Sequence, residues 1–343
     1  MSSRRLRVGL IGAGDISRYH LAAWRKLPDV DVVAICDRDK ARAAARAASA
    51  DIGAVHHDAA EMFECEALDA VDIATTRDSH VELCLLAADR GVDILCQKPL
   101  APSLGEARSL IAEIDGRVRL MVHENRRFAP HFQVIREWID AGLLGTFRQV
   151  VMTTYRSSLI RTSDGSRPGV VRAAYYAEEP RLLIGEALIH QLDVLRFLLG
   201  PLDVVAAREL HTEPDLPGET VASLLLEVRG SGAPVVLAGS YVAPGFAGSG
   251  NAGAALGAQT ADRLDIAGSD SSVVMNDSRI ELRGRYERDE PVDYSASYQH
   301  CFDAAIAHFV ERLRSGGPFD TSPEDNVGTL ELVEAAYRLA GRP

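Results

Sequence analysis

The chain has 343 residues and a formal net charge of −12, and 47% of its residues are hydrophobic and 25% charged. This length suits two domains, and this composition is typical of a globular protein with well-filled cores. The acidic balance and the lack of a Lys/Arg block argue against nucleic-acid binding, and no apolar run reaches the roughly 20 residues of a membrane span. We therefore expect neither nucleic acid nor a membrane as a partner.

The N-terminal sequence MSSRRLRVGLIGAG places an Arg pair before an apolar stretch, as an export signal would. The stretch runs directly into a glycine-rich turn and has no small-residue cleavage site, so we interpret it as a strand. The cysteines include no C-x-x-C pair, which argues against a disulfide framework and a structural zinc. They are Cys36, Cys65, Cys84, Cys96 and Cys301. We expect a cytoplasmic protein.

Short apolar runs alternate with helical patterns from residue 6 to about 122. The runs predict buried strands at LRVGLIG, VDVVAIC, AVDIATT, VDILC and VRLMV. The Ala-rich segments between them predict helices at 39–49, 58–64, 79–90 and 103–114. This alternation predicts an α/β fold with a doubly wound parallel sheet, that is, an N-terminal Rossmann domain over 1–122.

The remainder, 123–343, predicts a substrate-binding α+β domain with a large, mainly antiparallel sheet. Its predicted strands are FRQVVMTTYR, TVASLLLEVRG, APVVLAGSYVA, DRLDIAGS and SSVVMND. Helices are predicted at about 185–199, 298–314 and 324–340, and the last of these can pack back on the Rossmann domain. The Gly/Ala-rich stretch 244–258 predicts a loop, for which plain flexibility is favoured over a lid.

The motif GAGDIS, residues 12–17, follows the first predicted strand and opens a helix. Its glycines permit a tight turn and let backbone N–H groups approach a pyrophosphate at the helix N-terminus. Asp37 ends the next strand, 23 residues after Gly14, where an acid accepts hydrogen bonds from ribose hydroxyls. The motif therefore predicts NAD as cofactor. Arg38 leaves NADP open, because a neighbouring Arg can accommodate a 2′-phosphate.

Polar clusters follow several of the predicted parallel strands. In open α/β sheets, ligands bind at the carboxyl ends of the strands, and residues 12–17, 37–39, 75–80 and 97–99 all fall there. The predicted cofactor contacts are Gly12, Gly14, Asp15, Ile16, Asp37, Arg38, Thr75, Thr76, His80, Gln97 and Lys98.

Six motifs spread along the chain carry a resemblance to a known family. They are GLIGAGDIS, VDIATTRDSH, LCQKPLA, ENRRFAP followed by AGLLG, GEALIHQLD and DRLDIAGS. Together they resemble the Gfo/Idh/MocA family, which comprises glucose–fructose oxidoreductase, inositol dehydrogenase and relatives. The resemblance covers essentially the whole chain.

The resemblance implies the catalytic residues. In the family, the lysine of E-K-P and the histidine of D-x-x-x-H line the reaction site, and Lys98 and His190 match them directly. Glu186 stands where the family has aspartate, so it matches the family residue in charge but not in length. Gln97 stands where the family has the glutamate of E-K-P, so the acid beside the lysine is missing here. We predict Lys98, His190 and Glu186 as catalytic, and these two departures leave the substrate open.

The predicted helix 185–199 has a polar face. At 100° per residue, Glu186, His190 and Asp193 fall within about 60° of one another, opposite a leucine band. This pattern alone fits a solvated surface and a buried site equally well, and the resemblance favours the site. Glu186 either clasps His190 or projects to the substrate, and we favour clasping.

The remaining candidates concern substrate and metal. We predict substrate contacts at Asn125, Arg127, Tyr155, Tyr176 and Asp193, with core packing an equal alternative for the two tyrosines. A metal could bind the triplet of Glu186, His190 and Asp193 if His123-Glu124 or His56-His57 completed the ligand set. Neither pair has a helical metal-ligand spacing to the triplet, so we predict no metal. His20 is expected to be a packed helix residue.

These observations favour an NAD(P)-dependent oxidoreductase that transfers a hydride between a nicotinamide and a secondary alcohol or ketone of a sugar, cyclitol or sugar derivative. One alternative is an enzyme with tightly bound, transiently used NAD(H), either a sugar–sugar oxidoreductase or one for redox-assisted glycoside cleavage. The other is a non-catalytic cofactor-binding regulator. The partner is a polyol or sugar, and the resemblance implies a homodimer or homotetramer.

Overall fold

The computed structural model describes residues 4–244, 261–276 and 278–341. They form two compact units: the chain up to Asn125 with Phe302–Leu330, and Arg126–Cys301 with the chain from Glu331 onward. The sequence places the domain boundary at 122/123 and predicts that helix 324–340 can pack back on the Rossmann domain. In the structure, 302–330 group with the first unit, where Thr321 Oγ1 donates to the Val122 carbonyl at 2.7 Å. Apart from Pro244, the predicted loop 244–258 lies outside the described residues.

The first unit is built on a six-stranded parallel sheet of order β3-β2-β1-β4-β5-β6. Its strands are β1 (Leu6–Ile11), β2 (Val30–Cys36), β3 (Ala54–His56), β4 (Ala70–Ile73), β5 (Asp93–Gln97) and β6 (Leu120–His123). Its helices are α1 (Ser17–Trp24), α2 (Lys40–Ala50), α3 (Ala59–Cys65), α4 (His80–Asp89) and α5 (Leu104–Ile114). This strand order is that of a dinucleotide-binding Rossmann domain, with the ligand crevice where the order reverses, between β1 and β4.

Local chemistry explains these elements. Leu10, Ile35 and Leu95 are inaccessible to solvent, as expected for strands covered by helices on both faces. Asp39 caps α2 by accepting from the Arg42 N–H at 3.0 Å, one of the amides that lack a partner inside the helix. The predicted doubly wound sheet is therefore confirmed.

The second unit is built on an eight-stranded sheet of order β14-β13-β12-β11-β7-β10-β9-β8. Its strands are β7 (Phe147–Tyr155), β8 (Leu202–Leu210), β9 (Val221–Val228), β10 (Pro234–Ser240), β11 (Ala261–Gly268), β12 (Ser271–Met275), β13 (Arg279–Gly284) and β14 (Arg288–Pro291). β7 and β10 pair in parallel and the other neighbours pair antiparallel. The predicted mainly antiparallel sheet is confirmed.

The remaining helices are α6 (Pro130–Asp140), α7 (Pro168–Arg172), α8 (Ile189–Leu199), α9 (Tyr294–Ser315) and α10 (Pro323–Leu339), the last two divided between the units. One face of the sheet is covered: along β9, Leu224 and Leu226 are buried whereas Leu225 is 39% exposed. A Cβ on Gly239 of β10 would lie 2.6 Å from Leu188 Cδ2, so a larger residue there would require the Leu188 side chain to shift. Among the described residues, no helix is long and apolar enough to cross a membrane.

Candidate active site

The turn after β1 requires glycine at residue 12. Gly12 has φ +103°, and a Cβ there would lie 2.5 Å from the Ala74 carbonyl oxygen at the end of β4. Its N–H donates to the Cys36 carbonyl at 2.8 Å, which ties the turn to the end of β2. A Cβ on Gly14 would meet nothing within 4 Å. The turn is thus packed against the sheet at Gly12 and open at Gly14.

The same turn presents backbone donors at the start of α1. Within the described part of the chain, the N–H groups of Gly14, Asp15 and Ile16 have no protein acceptor. Unpaired amides at a helix N-terminus are the groups that bind an anionic phosphate. The geometry therefore fits the pyrophosphate of a dinucleotide at the predicted contacts Gly14, Asp15 and Ile16.

Asp37 is held beside this turn by two backbone donors. Its Oδ2 accepts from the Ala13 N–H at 2.7 Å, and its Oδ1 accepts from the Asp39 N–H at 2.8 Å. Each oxygen keeps a lone pair for a ribose hydroxyl, since a carboxylate accepts about four hydrogen bonds. Arg38, the predicted determinant for NADP, is exposed.

The loop after β4 contains three predicted cofactor contacts, which differ in exposure. Thr75 is half-buried and Thr76 exposed, whereas His80 is inaccessible to solvent. The ring of His80 lies 2.8 Å from the Pro99 carbonyl through Nδ1 and 3.2 Å from the Thr75 carbonyl through Nε2. Burial, opposed by these carbonyls, lowers its pKa, so the ring is neutral and its single proton goes to the shorter contact.

Both ring nitrogens of His80 thus face backbone carbonyls. That His80 contacts the cofactor stays a prediction. Its role is to tie the loop after β4 to the loop after β5, which carries Lys98.

Gln97, at the end of β5, connects Lys98 to buried imidazoles. Its Oε1 accepts from the Lys98 backbone N–H at 2.9 Å, which fixes the orientation of the amide. Its Nε2 therefore donates to His20 Nε2 at 3.0 Å and to His123 Nδ1 at 3.2 Å. The amide therefore makes its hydrogen bonds inside the protein, and the contact of Gln97 with the cofactor stays a prediction.

The buried chain continues from His20 to Asp72. Because Nε2 of His20 accepts from Gln97, its Nδ1 carries the proton that goes to Asp72 Oδ2 at 2.8 Å. Trp24 Nε1 donates to the same oxygen at 2.6 Å, and Asp72 is inaccessible to solvent. His20 is therefore packed, as expected, but as a polar link between α1, β4 and β5.

In the second unit, Glu186 lies on a π-helical turn, Ile184–Leu188, that leads into α8. The uniform rotation of 100° per residue used for the sequence does not hold across a wider π turn. Glu186 is 8% exposed and Asp193 inaccessible, so the polar face of this helix is not a solvated surface. His190 is half-buried.

Glu219 anchors the start of this segment. It is inaccessible to solvent and accepts from the N–H groups of Leu182 at 3.1 Å and Ile184 at 2.7 Å. Tyr337 of α10 donates to Glu219 at 2.7 Å and accepts from the Gly185 N–H at 3.1 Å. These contacts satisfy amides at the N-terminus of the segment that carries Glu186 and His190.

Two predicted substrate residues bind each other. Arg127 donates through Nε to Asp193 Oδ2 at 2.8 Å and through Nη2 to Oδ1 at 2.5 Å, and both residues are buried. A two-point ion pair of this kind engages both carboxylate oxygens. The ion pair fixes Asp193 of α8 to Arg127, and the predicted contact of the two residues with substrate stays a prediction.

Glu186 is contacted by Tyr175, a residue that the sequence analysis did not single out, and the predicted substrate contact of Tyr176 stays a prediction. The Tyr175 hydroxyl donates to Glu186 Oε2 at 3.0 Å, while the Tyr176 hydroxyl lies 3.4 Å from that of Tyr241. Of the other predicted substrate residues, Tyr155 ends β7 and is half-buried, and Asn125 is 5% exposed. The sequence carries no signal for Tyr175 beyond its position next to Tyr176. That Glu186 clasps His190 stays a prediction.

Comparison with known proteins supplies the family. The sequence profile described as an oxidoreductase family with an NAD-binding Rossmann fold matches residues 6–124, and the Gfo/Idh/MocA C-terminal domain matches residues 132–274. The chain belongs to the Gfo/Idh/MocA family. It is therefore an oxidoreductase with an NAD-binding Rossmann domain, which confirms the predicted family, enzyme class and cofactor.

Individual members of the Gfo/Idh/MocA family match along nearly the full chain. A D-apiose dehydrogenase from Paraburkholderia graminis is 35% identical over 98% of this chain and 88% of its own. Inositol 2-dehydrogenase 4 from Saccharopolyspora erythraea is 28% identical over 98% of this chain and 93% of its own. The solved structure of an oxidoreductase from Agrobacterium radiobacter, in complex with NAD+, L-tartaric acid and magnesium, is 30% identical and has a TM-score of 0.87. This match covers 98% of this chain and 96% of that one.

Proposed function

We propose that this protein is an NAD-dependent dehydrogenase that interconverts a secondary alcohol and a ketone of a sugar, cyclitol or sugar derivative. The observation that carries the proposal is the turn after β1, where unpaired N–H groups open a helix beside the fixed carboxylate of Asp37. The relatives named D-apiose dehydrogenase and inositol 2-dehydrogenase support the substrate class.

The chemistry divides between cofactor and protein. Bound NAD+ supplies the hydride acceptor, so that CH–OH becomes C=O and one proton is released. Lys98, whose backbone N–H is held by Gln97, donates a hydrogen bond from its ammonium group to the alcohol oxygen as charge develops there.

The proposed proton acceptor is His190, because an imidazole titrates near neutral pH. Glu186, held by the Tyr175 hydroxyl, provides a carboxylate four residues earlier that favours the imidazolium. Neither alternative function is favoured, since matching relatives are named D-apiose dehydrogenase and inositol 2-dehydrogenase.

The test is a substrate panel. Purified protein with NAD+ is mixed with single sugars, sugar acids and cyclitols, and NADH is followed by its near-ultraviolet absorbance. We expect steady NADH formation with at least one compound. A cofactor that stays bound through many additions without exchange would favour the alternative of an enzyme with tightly bound, transiently used NAD(H). If no compound reduces NAD+, the proposal is contradicted.

The homodimer or homotetramer expected from the resemblance is part of this proposal. The uncovered face of the sheet exposes Val205 at 49% and Leu225 at 39%, on neighbouring strands β8 and β9. Exposed apolar side chains of this kind support an interface between copies. Sedimentation of the protein and of Leu225→Asp tests it, with a shift of the variant to monomer expected. The cytoplasmic location stays a prediction, to be checked by cell fractionation.

A further inference from the structure

Five aromatic and basic side chains of the second unit form a contiguous group, of which the mechanism above uses only Tyr175. We name it the tyrosine–arginine cluster, and it consists of Arg156, Arg172, Tyr175, Tyr176 and Tyr241. The rings of Tyr175 and Tyr176 meet edge to face at 5.0 Å, and those of Tyr176 and Tyr241 lie 6.0 Å apart. The guanidinium of Arg172 lies 5.9 Å from the Tyr176 ring, and that of Arg156 lies 6.0 Å from the Tyr241 ring.

The cluster is joined to the proposed reaction chemistry at one end. Tyr175 donates to Glu186, the acid that precedes His190. Burial, together with Tyr176 and Glu186, raises the pKa of Tyr175, so its hydroxyl keeps its proton and remains a donor. A ligand on the tyrosine rings therefore lies next to Glu186.

Arg156 is a buried cation that forms no ion pair with any residue the structure describes. It is 8% exposed, and its Nε and Nη2 are inaccessible and have no acceptor among the described residues. Two other buried arginines of this unit are paired: Arg127 with Asp193, and Arg167 with Glu213 at 2.6 Å. A buried charge is costly unless it is paired and hydrogen-bonded, so Arg156 is the exception that needs an explanation.

Arg172 adds a second guanidinium to the cluster. Its Nε is also inaccessible and has no acceptor within the described ranges. Burial acts to lower its pKa, but the surrounding tyrosines, Tyr176 first, raise it above the usual range, so the group stays charged. It ends the short helix α7, which is fixed by a hydrogen bond from the Gly169 N–H to the Ser158 carbonyl at 2.7 Å. The two guanidinium groups are thus held by ordered backbone on separate segments.

We propose that the tyrosine–arginine cluster binds a carboxylate of the substrate, so that the protein oxidises a polyhydroxy acid. This inference rests on the proposed dehydrogenase function and names its substrate class. Arg156, Arg172 and Glu186 together carry a net charge of +1, which one carboxylate neutralises. A phosphate group, with a charge near −2, would leave an excess negative charge. Guanidinium forks also match a planar carboxylate in two-point hydrogen bonds.

The arrangement orients the substrate. Its carboxylate goes to the arginines, and its reacting hydroxyl goes toward Glu186, at the other end of the row of tyrosines. The carboxylate makes and breaks no covalent bond: the hydride still passes from the CH–OH carbon to NAD+, and the hydroxyl proton to the base. The tyrosine rings supply apolar surface for the C–H faces of the carbon chain.

The test uses matched pairs of compounds that differ in the carboxylate: D-gluconate and D-glucitol, D-glucuronate and D-glucose, and L-tartrate and L-threitol. With NAD+, the acid of at least one pair is expected to have a kcat/KM about tenfold or more above its neutral partner, as a charge-assisted contact provides. Arg156→Gln and Arg172→Gln are expected to abolish this preference by lowering kcat/KM for the acid alone. Arg229→Gln, which changes an exposed arginine of the same unit, is the matched control.

The outcomes separate this inference from the function on which it rests. If the protein turns over the neutral compound of every pair better than the acid, or glucose 6-phosphate better than the acids, the carboxylate site is wrong. The proposed dehydrogenase function would then still stand. If nothing is turned over, calorimetric binding of L-tartrate that is lost in Arg172→Gln still supports the site while the dehydrogenase fails. No turnover and no tartrate binding overturns both. The wild-type comparison needs no variant, so it decides even if Arg156→Gln fails to fold.

Discussion

We predict that Asp37 favours NAD over NADP. Two backbone N–H groups hold its carboxylate beside the turn after β1, and an acid at this position of the fold repels a 2′-phosphate. We predict that Asp37→Ser raises the ratio of kcat/KM for NADP to that for NAD by at least about tenfold, because exposed Arg38 then faces the phosphate unopposed. Asp39→Asn, which keeps the cap of α2, should leave the ratio unchanged. A wild-type preference for NADP would contradict this role.

Gln97 fixes the hydrogen-bonding roles of two buried histidines. Its amide nitrogen donates to both His20 and His123, so the ring nitrogen that faces it is an acceptor in each case. In Gln97→Glu, the new carboxylate has no hydrogen to donate, so at least one of the facing ring nitrogens should become the donor instead. Histidine ring 15N resonances report this directly, with Gln133→Glu as control. If either facing ring nitrogen already carries a hydrogen in the wild type, the assignment is wrong.

The residues that sequence reasoning identified are those with a local signal. Gly12, Gly14 and Asp37 follow strands at a fixed spacing, and the structure gives them the geometry of a nucleotide turn. Tyr175 and Arg156 were missed because their contacts join distant parts of the chain, and a tyrosine or arginine in a loop is usually a surface residue. The family pattern points to Glu186 but not to the hydroxyl that holds it.

At the scale of elements, the π turn Ile184–Leu188 depends on its anchor. Tyr337→Phe removes the hydrogen bonds to Glu219 and from the Gly185 N–H, and leaves buried polar groups without partners. We predict a loss of about 1–3 kcal/mol in the free energy of unfolding. A lower kcat with unchanged NAD affinity should accompany it, because the turn carries Glu186.

Chemical denaturation and steady-state kinetics of the same preparation measure both effects. Tyr286→Phe is the control, since the described structure gives that hydroxyl no hydrogen bond. A Tyr337→Phe protein with wild-type stability and kcat would show that the anchor does not matter.

The elements themselves were predicted where their pattern is long and regular. The apolar runs of the Rossmann strands identify them because both faces are buried, as Leu10 and Ile35 show. The three-residue strand β3 and the mostly exposed strand β14 have too little apolar periodicity to be predicted. The π turn was missed because hydrophobic spacing does not distinguish it from an α-helix.

For the molecule as a whole, His131 couples stability to pH. Burial, followed by the nearby charge of Arg126, lowers its pKa from 6.5 to about 3. Below pH 6.5 the unfolded chain therefore binds a proton at His131 that the folded chain does not bind. The contribution of His131 to the free energy of unfolding is thus complete above pH 6.5 and is lost as the pH falls toward 3. At pH 5 the loss amounts to about 2 kcal/mol.

The variant His131→Gln cannot take up that proton. Its free energy of unfolding should thus fall less steeply than that of the wild type between pH 7 and pH 5, by about the same 2 kcal/mol. Urea denaturation across this range measures the difference. Parallel curves for the two proteins would show that His131 titrates normally in the fold.

We propose that this Gfo/Idh/MocA protein transfers hydride to NAD+ from a substrate whose reacting oxygen is bound by Lys98. The most direct measurement is kcat for NADH formation by Lys98→Ala on the best substrate of the panel, with the NAD dissociation constant measured alongside. We predict a loss of kcat of about a hundredfold or more at nearly unchanged NAD affinity, because the ammonium acts on the developing alkoxide. Lys40→Ala, at the exposed start of α2, should match the wild type. An unchanged kcat, or a variant that loses only its affinity for NAD, would contradict the account.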